Sequence, residues 1–255
     1  MSARAPSAAT AYLDHAATTP LRPEAREGLV ALLDEAPGNP SGSHRGARTA
    51  RRVVDEAREV MASVLGCRPG EVVFTSGGTE SDNLAVRGVH AVQGGTVVCS
   101  AIEHHAVLDP VEALGGRTVG VDAVGRVDLS ALARVLDDPG PEGDVGLVSI
   151  MLANNEIGVV QDLAAVADTI AGHAPGTVLH TDAVQAFPWL DVATAATPAQ
   201  LVSVSAHKFG GPHGVGALVV RTGTPLAPLH LGGGQERGLR SGTQNVAGIG
   251  AMAAA

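Results

Sequence analysis

The chain is short of several things, and each shortage narrows what it can be. It has only two cysteines, Cys67 and Cys99. They form no metal-binding or redox spacing, which fits a reducing, cytoplasmic setting. Its aromatics are three Phe, one Trp and one Tyr. Basic runs are missing beyond Arg48-Thr-Ala-Arg51-Arg52, and the net charge is −9. That balance argues against nucleic acid and against an anionic membrane surface as partners. No apolar run is long enough to span a bilayer. The opening Met1 to Thr10 is Ser/Ala-rich without an apolar stretch, so it does not read as a secretory signal. There is no internal repeat and no low-complexity block.

What is present is a core-forming composition. Hydrophobic residues make up 45% of 255 residues, with 33 glycines. That suffices for one large α/β domain, or one domain plus a fragment of another, with a core of Val, Leu and Ala. Tyr12 begins a short extended piece that turns by Pro20. Pro23 opens a helix with an apolar face of Ala25, Leu29, Leu32 and Leu33. After a Pro/Gly/Asn loop at 37–43, a long amphipathic helix runs from Gly46 to Leu65. Val53, Val54, Ala57, Val60, Met61 and Val64 recur along it, its Arg and Glu residues face solvent, and Gly66 ends it. Short apolar strands then alternate with helices. Strands are expected at 72–75, 96–100, 117–121, 145–152, 177–181, 201–205 and 216–220, with helices between most of them. Continuous apolar strands separated by helices predict a mostly parallel, seven-stranded sheet covered on both faces. The last two strands are joined by a short turn, so that pair is expected to be antiparallel.

In open α/β sheets, ligands gather at the carboxyl ends of strands. Three stretches put unusual polar residues there. Thr75-Ser-Gly-Gly-Thr-Glu-Ser81 links a strand to a helix; its glycines and Thr79 suit an anion cradle built from free amides and a helix dipole. Alone it is equally a capped helix start, with Thr79 and Asp82 as an analogue of a capping box. Asp182, following an apolar strand, could pair with a protonated heteroaromatic nitrogen or cap a helix. Lys208 leaves a strand for Phe209-Gly-Gly-Pro212, and a buried lysine there is a candidate Schiff-base amine. A phosphate site, a carboxylate for a ring nitrogen and a Schiff-base lysine together are what pyridoxal phosphate requires.

These stretches, with Glu103-His104, Asn154-Asn-Glu-Ile-Gly158, Thr181-Asp-Ala-Val-Gln185, Ser205-Ala-His-Lys208 and Arg240-Ser-Gly-Thr-Gln-Asn245, resemble the cysteine desulfurases of the NifS/IscS type. Those are pyridoxal-phosphate enzymes of the class V aminotransferase family, and the resemblance runs from Tyr12 to the end of the chain. It implies the large domain of a pyridoxal-phosphate-dependent transferase of the aspartate aminotransferase type over 20–255, with 1–19 belonging to the small-domain or substrate side. It assigns Lys208 the covalent link to the cofactor, Asp182 the pyridinium nitrogen, and Gln185 the phenolic oxygen. Asn155 would contact that edge. His104 would stack on the ring and move protons. Gly78, Thr79, Ser205 and His207 would bind phosphate. Thr243 would reach the phosphate of a neighbouring subunit, implying a homodimer. Asp14 to Thr19 and Asn39-Pro-Ser41 resemble the substrate-side loops.

The implied reaction takes L-cysteine to L-alanine, leaving sulfur as an enzyme persulfide. A sulfur-acceptor protein such as an iron–sulfur scaffold is the implied partner. The resemblance also expects a nucleophilic cysteine downstream of the Arg-Ser-Gly-Thr motif and a C-terminal small domain. Neither Cys67 nor Cys99 stands in that position; both read as structural, and persulfide formation by these 255 residues alone is not expected. A selenocysteine lyase, an aminotransferase or a non-catalytic cofactor-binding subunit are the alternatives. Glu103, His104 and His105 lack a zinc spacing, so no metal is expected. His173, His180, His213 and His230 carry no assigned chemistry and read as surface or internally satisfied residues.

Overall fold

The computed structural model describes residues 11–255, so the Met1–Thr10 reading lies outside the described residues. Seven strands form one sheet: β1 (Val72–Thr75), β2 (Thr96–Ser100), β3 (Arg117–Val119), β4 (Val145–Ser149), β5 (Val178–Asp182), β6 (Leu201–Ser205) and β7 (Gly216–Val220). Their order across the sheet is β1-β7-β6-β5-β4-β2-β3. β2 to β6 and β3 run parallel, and β7 is antiparallel to β6 as its short connection requires. β7 is also antiparallel to β1, through Val72 opposite Val219 to Thr75 opposite Gly216. No sequence signal announces that second pairing, because β1 and β7 are separated by most of the chain.

Eight helices surround the sheet: α1 (Pro23–Glu35), α2 (Arg45–Val64), α3 (Gly78–Gln93), α4 (His105–Ala113), α5 (Leu129–Asp137), α6 (Leu163–His173), the single turn α7 (Val192–Ala195) and α8 (Val246–Ala254). Pro23 opens α1 where its missing N–H costs nothing. His44 caps α2 by accepting the Ala47 amide, and Gly66 follows the helix with φ +62°, a left-handed position that glycine adopts without strain. α3 connects β1 at one edge to β2 near the other, so it crosses the face of β7, β6, β5 and β4. That crossing sets its N-terminus over the carboxyl ends of the central strands.

The core lies on both faces of the sheet. On one, α3 and α4 cover Val73, Val97, Cys99, Leu147, Val178 and Leu201. On the other, the larger cluster gathers Val148, Ile150, Leu179, Val202 and Val204 under α2, α5 and α6. α8 packs on α1 and α2.

Two details differ from the sequence reading. Leu33, Val60 and Val64 are exposed, so the buried stripes of α1 and α2 are narrower than periodicity alone predicts. Arg58, read as a solvated residue of α2, is buried. Its guanidinium donates two hydrogen bonds to Glu236 at 2.8 and 2.7 Å and one to the Val72 carbonyl. Its partner lies 178 residues away, beyond the reach of any local pattern.

Candidate active site

At the carboxyl ends of the strands lies a cavity of about 260 Å³. Nine of the ten residues predicted to contact a cofactor line it: Gly78, Thr79, His104, Asn155, Asp182, Gln185, Ser205, His207 and Lys208. Thr243, the tenth, is exposed and does not line it. Ala17, Asp82, Ala106, Met151 and Val184 complete the wall.

The cavity forms because β1 hands directly into α3 through glycines. Gly77 stands before the helix at φ +150°, in a backbone region disfavoured for any other residue. A Cβ on Gly78 would lie 2.8 Å from Val184 Cγ2. Side chains on these residues would strain or fill the cradle. No side chain caps α3, so the capping reading of Thr79 does not hold, and the first amides keep their hydrogen-bonding capacity for an anion. Opposite, the Ser205 hydroxyl is buried without a partner.

Glu80, in the first turn of α3, accepts from the Ser76 amide at 2.8 Å and from Arg240 at 2.7 Å. Burial pushes its carboxyl up, but the Arg240 and Ser76 hydrogen bonds outweigh burial and hold it below the usual range. This ties the start of α3 to the segment carrying Thr243. That segment is itself fixed by Glu236, which accepts from Arg58, the Phe74 amide and Gln244 and sits at φ +46°.

Asp182 ends β5, and its Oδ1 accepts the Val184 amide at 2.8 Å. No helix follows, so the helix-capping alternative also falls away. Burial raises its pKa, partly offset by the Val184 amide, His104 and Lys208. Lys208 is half-buried, in the 3-10 turn after β6, and its ammonium donates to the Ala16 carbonyl. Burial holds its pKa below the usual lysine value against the opposing pull of Asp182 and Asp14. The backbone around it is pinned by residues 18–22. The Thr19 amide donates to His207 O at 2.9 Å, the Thr19 hydroxyl to Lys208 O at 3.1 Å, and the Arg22 amide to Gly210 O at 2.9 Å.

His104 caps α4, its Nδ1 accepting from the Ala106 amide at 3.0 Å, which leaves Nε2 to carry or exchange a proton. His207 stacks on His213 at 5.3 Å, and Thr18 Oγ1 lies within hydrogen-bond distance of both rings. Burial, then Lys208 and His213, lower the His207 pKa. The Gln185 carbonyl oxygen is buried without a partner. So is Oε2 of Glu103, whose Oε1 accepts the Met151 amide at 2.7 Å. Among the described residues no group of three or more His, Cys, Asp or Glu could hold a metal ion. No described helix is long and apolar enough to cross a membrane.

Residues 11–255 match the family described as aminotransferase class-V. The chain belongs to the class-V aminotransferase family. Among curated class-V relatives, the IscS-like cysteine desulfurase of Mycobacterium tuberculosis is 44% identical over 96% of this chain. The cysteine desulfurase IscS of Dictyoglomus turgidum is 44% identical over 93% of it. The chain spans 64% and 61% of the lengths of these two relatives. In structure it is similar to a NifS-like protein, with TM-score 0.88, 39% identity, and coverage of 94% of this chain and 66% of that one. It is also similar to SspA in complex with cysteine, with TM-score 0.86, 34% identity, and coverage of 96% and 71%.

Class-V enzymes use pyridoxal 5'-phosphate, and the residues of this pocket fit that group. A glycine cradle with uncapped amides and an orphaned serine hydroxyl suits the phosphate. A buried carboxylate and an orphaned glutamine oxygen suit the polar rim of the ring.

The sequence reading missed Asp82 as a cavity residue. Its only local signal is its place one helical turn into α3, on the face that crosses the strand ends.

Proposed function

We propose that the chain is the cofactor-binding domain of a pyridoxal-phosphate-dependent cysteine desulfurase, converting L-cysteine to L-alanine and passing the sulfur to an enzyme thiol. The observation that carries this reading is the meeting of Lys208, Asp182 and the uncapped start of α3 in one cavity. The names of the relatives and the cysteine named in the SspA structure support the substrate.

When bound, the cofactor supplies an electron sink for the substrate's α-carbon. Lys208 holds it covalently, and partial burial raises the fraction of unprotonated amine that can do so. Asp182 would pair with the cofactor's ring nitrogen and favour its protonated form. Gln185 and Asn155 orient the phenolic edge. Gly78, Thr79, Ser205 and His207 bind the phosphate. His104 would stack on the cofactor ring and move a proton at Nε2.

The domain runs from 20 to 255, and the segment before it serves the substrate side. Ala16 and Ala17 support this by reaching Lys208 and the cavity wall. Thr243, exposed on a tethered segment, completes the phosphate site of a second copy in a homodimer. The sulfur-accepting thiol is neither of the described cysteines. Burial pushes Cys67 up to about 11 and Cys99 to about 12, which leaves almost no thiolate at neutral pH. An iron–sulfur scaffold is the proposed acceptor of the sulfur.

The test is spectroscopic. The protein mixed with pyridoxal phosphate should gain a near-visible band that survives gel filtration, and Lys208→Ala should abolish it. A Lys208→Ala protein with the parent spectrum sinks the assignment.

A further inference from the structure

Beneath the cavity lies a row of buried polar side chains that nothing above has used. His180 stands two residues before Asp182 on β5, so both point to the α3 face of the sheet. The His180 ring is fully buried. Its Nδ1 lies 2.8 Å from Ser149 Oγ on β4, and its Nε2 lies 3.0 Å from Ser203 Oγ on β6. Ser203 is the register partner of Asp182. From α3, Asp82 comes down onto this row with Oδ1 3.6 Å from His180 Nε2. Asp82 is 1% exposed, lines the cavity, and its Oδ1 has no hydrogen-bond partner.

Counting protons gives the row a direction. A neutral imidazole has one donor and one acceptor. If Ser149 donates to Nδ1, Nε2–H donates to Ser203 Oγ. The Ser203 hydroxyl is then free to donate to the Asp82 carboxyl. A charged histidine would need acceptors on both nitrogens and would itself be buried in a dry site.

We propose that Asp82 sits in the pocket floor as a neutral carboxylic acid, oriented through Ser203 by His180, and is a positioning residue for Asp182. Rested on the reading that the pocket takes pyridoxal phosphate, this leaves Asp182 as the single negative charge facing the protonated ring nitrogen. The titratable groups facing Asp82 are His180 and Asp182 from β5 and Glu103 from the segment after β2, with His104 and Lys208 beyond Asp182. Two ionised carboxylates beside a third, with one partly buried ammonium nearby, would repel one another strongly at a position where Asp82 is 1% exposed. Burial, then Asp182 and more weakly Glu103, pushes the Asp82 carboxyl well above its ordinary range, outweighing the opposing pull of the Ser203 hydroxyl. Burial acts on Glu103 in the same direction.

Infrared spectroscopy of the cofactor-free protein at pH 7 decides the protonation state. A buried protonated carboxyl gives a carbonyl band distinct from that of carboxylates. Asp82→Asn should remove one component of that band and Glu103→Gln another. If Asp82→Asn leaves the band untouched, Asp82 is ionised and the proposal fails. Ser203→Ala should displace the Asp82 component, because the acid loses its donor. His180→Leu should do the same; Ser203→Ala carries the test if that variant does not fold. A component unmoved by Ser203→Ala would show that the row orients nothing.

In the cofactor-loaded protein, Asp82→Asn should leave the pH midpoint of the near-visible band within about 0.5 unit, since one neutral group replaces another. A larger fall would mean that a charge has been removed and would overturn the proposal. Failure to take up pyridoxal phosphate at all would sink the function proposed above, while the infrared result on the free protein would still judge Asp82.

Discussion

The two faces of the sheet are built from the same strands and obey different rules. On the face away from α3, the strands are apolar to their ends: Leu179, Val202, Val204, Val148 and Ile150 are buried in one cluster. Thr181, which shares that face, gives its hydroxyl to the Ile150 carbonyl and so leaves nothing unsatisfied. On the face under α3, each central strand changes character midway. Leu147, Val178 and Leu201 are apolar, and one pleat further on stand Ser149, His180 and Ser203, then Asp182 and Ser205. Of the five buried side-chain atoms without a partner among the described residues, three, on Asp82, Ser205 and Gln185, belong to the cavity at this polar end. One face is closed and supplies stability; the other stores unmet hydrogen-bonding capacity where a ligand can use it.

That contrast can be broken from either side. The largest expected effect on the ligand is at the polar end. Asp182→Ala should weaken retention of pyridoxal phosphate on the order of 100-fold, about 2.7 kcal/mol, through loss of a charge-assisted contact, as measured by equilibrium dialysis. Stability to denaturant should change little, and if retention survives, the polar end is not a ligand site.

Leu179→Ala on the closed face should do the reverse. Unfolding stability should fall by about 2–5 kcal/mol in a urea titration, with the near-visible band unchanged per folded molecule. Loss of the band at full folding would erase the distinction between the faces.

Acid separates them more gently. His180 is held neutral by burial, its pKa lowered to about 3. In the unfolded chain the imidazole takes up a proton near pH 6.5. Between those values the unfolded state binds the extra proton, so this contribution to stability is complete above pH 6.5. It is lost as pH falls toward 3, by up to about 1.4 kcal/mol per unit. His180→Asn should flatten that part of the stability–pH curve. An unchanged slope would mean that another group sets it. Outside this contrast, alkylation of Cys67 and Cys99 in the folded protein at pH 8 should be slower than for a free thiol by roughly 100-fold or more, the deficit in thiolate.

The closed face was nearly all legible in the sequence, because alternation of strands and helices needs only local pattern. The three chemical stretches were legible too: Gly77-Gly78, Asp182 and Lys208 stand at strand ends, and the resemblance to the NifS/IscS type supplied the company they keep. What sequence could not show were relations between distant residues. Arg58 looked solvated because Glu236 lies 178 positions away. His180 read as bland because its partners Ser149 and Ser203 sit on neighbouring strands, one on each side. Asp82 read as part of a helix cap because only the crossing of α3 over the sheet brings it to the floor. Thr243 was assigned to the phosphate of a neighbouring subunit, and it stands outside this chain's own cavity.

The strap formed by residues 16–22 has a kinetic consequence. It clasps the lysine turn across a gap of 189 residues. Closing so long a span costs the chain about 5 kcal/mol of freedom before any contact returns it. The turn after β6 therefore cannot be locked until residues 16 to 210 have all left the ribosome, and Lys208 is set in place only after the strands before it exist.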